Sequence, residues 1–313
     1  MLTPHARGAL SHAVLTAMRS ADTSTLAQAP QAESAQDAHL TLWALYEQHY
    51  RGFDDVAGEL EWDPLLLSIR RKLEQDFEQT LRARIPQFPA PGNFAEDFFG
   101  FVADFDGASL SGHVQRKATK EQVCQLLRHR TVYHLKESDH TTWLIPRLSD
   151  RVKAAVMELQ FDEYGAGDPQ RLHAHLFRRG IEDSGLDSEY GAYINEAPLE
   201  ILEENNAMSL FGLNRRLRAA SLGFLAAFET TSSAPSRRMA AGLQRLGFPA
   251  SMVEYYTEHV EADAVHEQLA VRTICGAFLE EEPQLHDDVY FGAWTSMDLE
   301  ARYAARMLKE WAA

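Results

Sequence analysis

Apolar residues recur at intervals of three and four along most of this chain, and strict alternation is almost absent, which predicts helices rather than strands and an all-α class. The pattern turns helical from Ala38, through HLTLWALYEQHYRGF and then DPLLLSIRRKLEQDFEQTLRARI, where Asp63 and Pro64 read as a cap and a proline at the first helical position. PQFPAPGNF breaks the spacing. It resumes in EDFFGFVADF and in TKEQVCQLLRHRTVYHLKESD, with Thr119 placed to cap the latter. After Pro146 comes SDRVKAAVMELQFDEY, capped by Ser149, until Gly165, Gly167 and Pro169 interrupt; Asp168 and Pro169 read as the next cap and first position, ahead of RLHAHLFRRGIEDSG. NAMSLFGLNRRLRAASLGFLAAFETT reads as one long apolar helical region and SAPSRRMAAGLQRLG as another. PASMVEYYTEHVEADAVHEQLAVRTICGAFLEEE follows, and EARYAARMLKEWAA closes the chain as a helix. Residues 22–38, rich in Ala, Ser, Thr and Gln, have the composition of a linker after a weak first helix.

Composition narrows the function classes. With 45% hydrophobic residues, 313 residues are enough to bury a core. A net charge of -16 argues against binding nucleic acid or anionic lipid through a broad basic surface, since both need Lys and Arg against phosphate. There is no apolar run near the ~20 residues that span a bilayer, nor a compact apolar segment of a secretory leader at the N-terminus, so a cytoplasmic protein is expected. Two cysteines, Cys124 and Cys275, exclude a disulfide scaffold and leave any metal to histidines and carboxylates.

His259, Asp263 and His266 stand at i, i+4 and i+7, one stripe of a helix, where two imidazoles and a carboxylate suit a first-row transition metal if other helices complete the set. A wet helical face carrying two histidines is the alternative. Glu229 follows Leu222, Leu225 and Ala226 on an apolar stripe, so it must be ion-paired, protonated or metal-bound. Glu163 and His173 flank GAGDP and face one centre only if the chain kinks between them. That Gly-rich run also admits a phosphate loop, although no strand precedes it. Glu137 sits near the end of another helix. His175 reads as a surface or supporting group; His140, His286 and the acids at Asp287 and Asp288 read as surface residues, as do Glu280 to Glu282 and the basic Arg215, Arg216 and Arg218. Phe177, Tyr255, Tyr256 and the helix from Leu222 to Phe228 are candidates to line a pocket, with core packing as the alternative.

Taken in order, YHLKESDHTTWLIPRL, MELQFDEYGAGDPQRLHAHLF, the Glu229 helix and HVEADAVH resemble the haem-oxygenase-like diiron oxidases and oxygenases over residues 120–313. The resemblance implies a bundle of about seven helices, here as a diiron domain over 119–313, preceded by a weak helix and flexible segment over 1–37 and an auxiliary helical region over 38–118 that mediates a homodimer. It implies metal ligands at Glu163, His173, Glu229, His259, Asp263 and His266. Glu137 matches a further carboxylate seen in the N-oxygenating members. It implies two Fe(II) ions, O2 as co-substrate, an external electron donor or redox partner, and a peroxo-diiron(III) species. The activity it implies is N-oxygenation of an amine or guanidine of a small amino-acid-derived metabolite. Desaturation, decarboxylation or C–C fragmentation of an amino or fatty acid is the alternative, and a helical binding protein without activity is another.

Overall fold

The computed structural model describes residues 1–312, apart from the side chains of residues 261–264. In chain order the helices are α1 (Ala9–Ser20), α2 (Ala35–Glu47), α3 (Pro64–Arg82), α4 (Phe94–Ala103), α5 (Leu110–Arg116), α6 (Lys120–His134), α7 (Asp139–Thr142), α8 (Asp150–Glu163), α9 (His173–Asp183), α10 (Leu199–Leu213), α11 (Arg218–Arg245), α12 (Ala250–Gln268), α13 (Gly276–Glu281) and α14 (His286–Trp311). Among the described residues there is no strand, as the spacing of apolar positions predicts. None of these helices is long and apolar enough to cross a membrane.

Local chemistry sets the helix starts. The Asp63 carboxylate accepts from the amides of Leu65 and Leu66, and Thr119 and Gln122 form a reciprocal capping box. Ser149 stands at the start of α8 in an extended conformation, but its hydroxyl makes no capping bond. Asp168 does not start α9: it accepts from the Gln170 amide two residues on, an Asx turn, and the helix begins only at His173. Within the stretch read as a linker, Ser34 caps α2, and the fully buried Asp37 accepts from the amides of Leu10 and Ser11 at the start of α1.

Two helix boundaries differ from the pattern. The region read as one helix over 206–231 is broken at Asn214, whose side chain turns back to the Leu210 carbonyl and across to Glu74, so α10 ends and α11 starts afresh at Arg218. The segment SAPSRRMAAGLQRLG, read as a separate helix, instead continues α11, with Pro235 inside it. The helix continues through it because Glu229 and Ala227 before it and Met239 and Leu243 after it are buried on the same element. Thr230, Thr231 and Ser232 donate to the carbonyls of Ala226, Ala227 and Glu229, back-bonding that bends helices and softens α11 just past Glu229.

The core has two parts. One gathers α1, α2, α3, α6, α9 and α10; the other gathers α4, α8, the front of α11, α13 and the front of α14. At the crossing of α11 and α14, Gly223 lies against the Val289 carbonyl and Gly292 against the Ala220 carbonyl, leaving no room for a Cβ at either. Between α12 and α13, residues Leu269–Cys275 form a π-helix whose Ala270, Val271, Ile274 and Cys275 are buried in the second core.

Candidate metal centre

The candidate ligands stand on the seam between the two cores. Glu163 is the last residue of α8 and Glu229 follows the buried Ala226 and Ala227 of α11, both from the second core. His173 opens α9, His259 lies one turn after Tyr255 on α12, and Glu137 lies in the turn after α6, all beside the first core. Six of the seven sequence-predicted residues are brought together. They form two groups, Glu137 with His173 and His259, and Glu163 with Glu229 and His266, in each of which one ligand atom per residue lies within 4.8 Å of the others, and all six are buried. Asp263 lies outside the described residues.

The kink that the Glu163 and His173 spacing requires is present. Gly165, Ala166 and Gly167 all have positive φ, turning the chain so that His173 Nδ1 comes 3.0 Å from Glu163 Oε2. No strand or phosphate loop is built there. A Cβ on Gly165 would meet the Leu172 nitrogen at 2.6 Å. Left-handed backbone costs a side chain about 1–2 kcal/mol, and the clash adds to it. Gly165→Ala is therefore expected to lower stability by at least about 2 kcal/mol and to weaken metal uptake. Denaturant unfolding and metal analysis of the variant check both, and a variant like wild type in both would contradict this account of the turn.

Glu163 joins the groups: its Oε2 faces His173 while its Oε1 lies 3.5 Å from His266 Nδ1, which is also 3.5 Å from Glu229 Oε2. On α12, His259 and His266 are two turns apart, about 10 Å of rise, so each imidazole serves a different group.

Supporting contacts fix the histidine tautomers. His259 Nδ1 donates to the Tyr255 carbonyl at 2.7 Å, which turns Nε2 toward Glu137, 3.6 Å away. His266 Nε2 points to the Asp162 carboxylate at 3.4 Å, leaving Nδ1 for the group. An imidazole held from behind by a carbonyl or carboxylate is the usual arrangement of a metal ligand. Glu137 is held by the Tyr255 hydroxyl, 2.9 Å from Oε2, and by His134, 3.3 Å from Oε1. Ser138, next to it, has φ 68, a strained conformation for a residue with a side chain, and its hydroxyl donates to Glu163 at 2.9 Å. Gln160 of α8 donates to the Ser138 carbonyl and so ties this turn to the helix carrying Glu163.

Tyr255, His134, Ser138 and Asp162 are thus working parts of the site that the spacing did not single out. Tyr255, a candidate pocket wall, instead holds Glu137, and Phe177 packs on His134 and Tyr255 in the core. Arg216 and Arg218 are ion-paired with Glu78 and Glu282, away from the centre. His140 and His286 are both buried, contrary to the surface reading.

Electrostatics fit a cationic guest. Among the described residues, every ion pair made by Glu137 and Glu163 is to a histidine, with no Lys or Arg. Three buried carboxylates with three imidazoles form a hard and borderline donor set that suits iron, and divalent cations would offset their charge. The family model for iron-containing redox enzymes matches residues 124–301. This chain belongs to that family. None of the curated proteins compared with it is similar enough to match.

For an iron-containing redox enzyme the protonation of these imidazoles matters, because metal and proton compete for one lone pair. Burial alone would lower the His266 pKa, but Glu229, Glu163 and Asp162 outweigh it and push it up to about 9. His173 is likewise raised, burial being outweighed by Glu163. Both shifts favour the protonated imidazole when no metal is present. Iron affinity is expected to rise with pH from about 6.5 to 9, with proton release on binding, and anaerobic titrations at several pH values check it; a flat affinity would contradict it. In the metal-free enzyme the sign reverses. The pairing of His266 contributes stability fully below the ordinary imidazole value near 6.5 and loses it as pH rises through about 9, so metal-free Tm falls across that window.

A cavity of about 30 Å³ opens beside the groups, bounded by Glu137, Glu163, Glu229 and His259 on one side and by Met208, Phe211, Phe224, Leu225 and Phe228 on another. It has room for one or two water-sized groups. Phe228, edge-on to Tyr133 at 5.7 Å, is shared with a larger cleft of about 310 Å³ that reaches Arg130, Glu204 and Tyr256.

Proposed function

We propose that the two groups each hold one ferrous ion and that this enzyme is a non-haem diiron oxygenase, with N-oxygenation of an amine or guanidine of a small amino-acid-derived metabolite as its activity. The observation that carries the reading is the pair of buried three-donor groups joined by the Glu163 and His173 contact. Paired ferrous ions supply electrons and open coordination positions for dioxygen. The chain's own contribution is placement: carbonyl and carboxylate partners fix His259 and His266, Tyr255 and His134 hold Glu137, and the phenylalanines around the chamber keep water out. Glu137 within the first group favours the N-oxygenating subtype, with an external donor returning the irons to the ferrous state. The substrate is a small molecule that enters from the larger cleft past Phe228. Residues 119–313 act as the metal-binding domain and the preceding region as its auxiliary, meeting a second copy.

The apolar chamber wall favours a second reading, oxidation of an aliphatic C–H or C–C bond in an amino or fatty acid. Oxygen-dependent mass gain on candidate amines against carbon loss from amino or fatty acids separates the two. Metal-free enzyme given two equivalents of ferrous iron under nitrogen is expected to retain both. His259→Ala and Glu229→Ala should each lose at least one while keeping their helical content by circular dichroism. Two retained irons in either variant would sink the ligand assignment, and no uptake by the wild type would favour a binding protein.

A further inference from the structure

His140, in the short α7, is 4% exposed. Its ring packs against Tyr50 at 5.1 Å and Tyr133 at 6.1 Å between centroids. Its carbonyl is seated on Gly212 of α10, where an added Cβ would come within 2.5 Å, so the backbone behind the ring is fixed. Both ring nitrogens are buried, and neither has a hydrogen-bond partner among the described residues. The residue borders the chamber together with Glu137, Glu163, Glu229 and His259.

This is an expensive way to fill space. Buried polar atoms without partners carry their full desolvation penalty, whereas a phenylalanine would stack between the same two tyrosines with none. Neighbouring polar groups of the chamber are engaged: Ser138 with Glu163, and Glu137 with Tyr255 and His134. A local rule broken at a site, with no gain to the fold, marks a group kept for a ligand.

We propose that His140 is a ligand-binding residue, donating its N–H to a lone-pair nitrogen or oxygen of the small group of a ligand that reaches into the chamber. Burial and the positive charge of Lys136 hold the imidazole neutral, so it keeps one donor and one acceptor through the working pH range. The step transfers no proton; it orients the ligand beside the metal groups. The inference rests on the diiron reading for the identity of the chamber, but the metal-free melting comparison that opens its test does not.

The test compares wild type with H140F and H140Q, first as metal-free protein by thermal unfolding, then loaded with ferrous iron, oxidised in air to the ferric state and titrated with azide in the visible spectrum. Metal-free H140F is expected to melt at or above the wild-type temperature. Its azide affinity should fall about tenfold or more, with H140Q recovering most of the loss. A metal-free H140F melting more than about 5 °C below wild type would show that His140 serves the fold, and would overturn the proposal. An azide affinity within about twofold of wild type would overturn it as well. Should the wild type take up no iron, the diiron reading falls, and the melting comparison still decides the place of His140.

Discussion

Glu163→Ala is expected to lose both of the proposed irons, whereas His173→Ala should keep one. The difference lies in where the two side chains reach. Glu163 Oε2 is 3.0 Å from His173 and Oε1 is 3.5 Å from His266, so this carboxylate has an oxygen beside a donor of each group. His173 belongs to the first group alone. Removing Glu163 also removes the charge that outweighs burial at His173, leaving that imidazole without its main ionic partner in the metal-free state. Helical content should be unchanged, because Glu163 is the last residue of α8 and its loss breaks no helical hydrogen bond. Metal analysis after anaerobic dialysis reads the result. One iron retained by Glu163→Ala would mean that the two groups are independent and that Glu163 serves only the second.

Lys136→Ala is expected to cost about 3–5 kcal/mol of stability. Lys136 and Glu47 of α2 form an ion pair of 2.9 Å in which both side chains are almost completely buried, and the Tyr190 hydroxyl donates to the same carboxylate at 2.8 Å. The ammonium also lies 4.5 Å from the Tyr50 ring centre. Truncating the lysine strands the Glu47 charge in the core, and that penalty, rather than the loss of attraction, dominates. Glu47→Gln combined with Lys136→Met should therefore recover most of the loss. Denaturant unfolding of both variants against wild type measures the loss and its recovery, and a loss in Lys136→Ala below about 1 kcal/mol would place the pair in the range of surface bridges. Because Lys136 precedes Glu137, and Arg51, in the turn after α2, donates to the Leu135 carbonyl at 3.0 Å, the end of α2 and the turn after it grip the turn that presents Glu137. Residues before 124, outside the stretch matched by the family, thus help to place the centre.

The helical class and several helix starts were legible in the sequence because they depend on near neighbours: Asp63 with Leu65 and Leu66, Thr119 with Gln122. Glu229 was legible because a charge on an apolar stripe is anomalous whatever surrounds it. The turn between Glu163 and His173 could be read from its glycines. Partners distant in the chain could not. Tyr255 looks like any aromatic at core spacing until α12 is laid against the turn after α6, and His140 looks like a surface residue until α10 closes over it. The same holds for helix ends: Asn214 stops α10 through a side chain of α3, and Pro235 fails to stop α11 because packing on both sides of it outweighs the lost amide.

The π-helix after α12 has a geometric consequence. Each residue in an α-helix turns the chain by about 100°, and a π segment holds one residue more than the α-helical hydrogen-bond register accommodates. Deleting a single residue between Leu269 and Cys275 would let the segment close into ordinary helix and keep Ala277 and Phe278 in the second core, while swinging the face that bears His259 and His266 by about a quarter turn. The segment acts as a phase setting: the aim of the two imidazoles is adjustable by one residue of length, independently of their spacing.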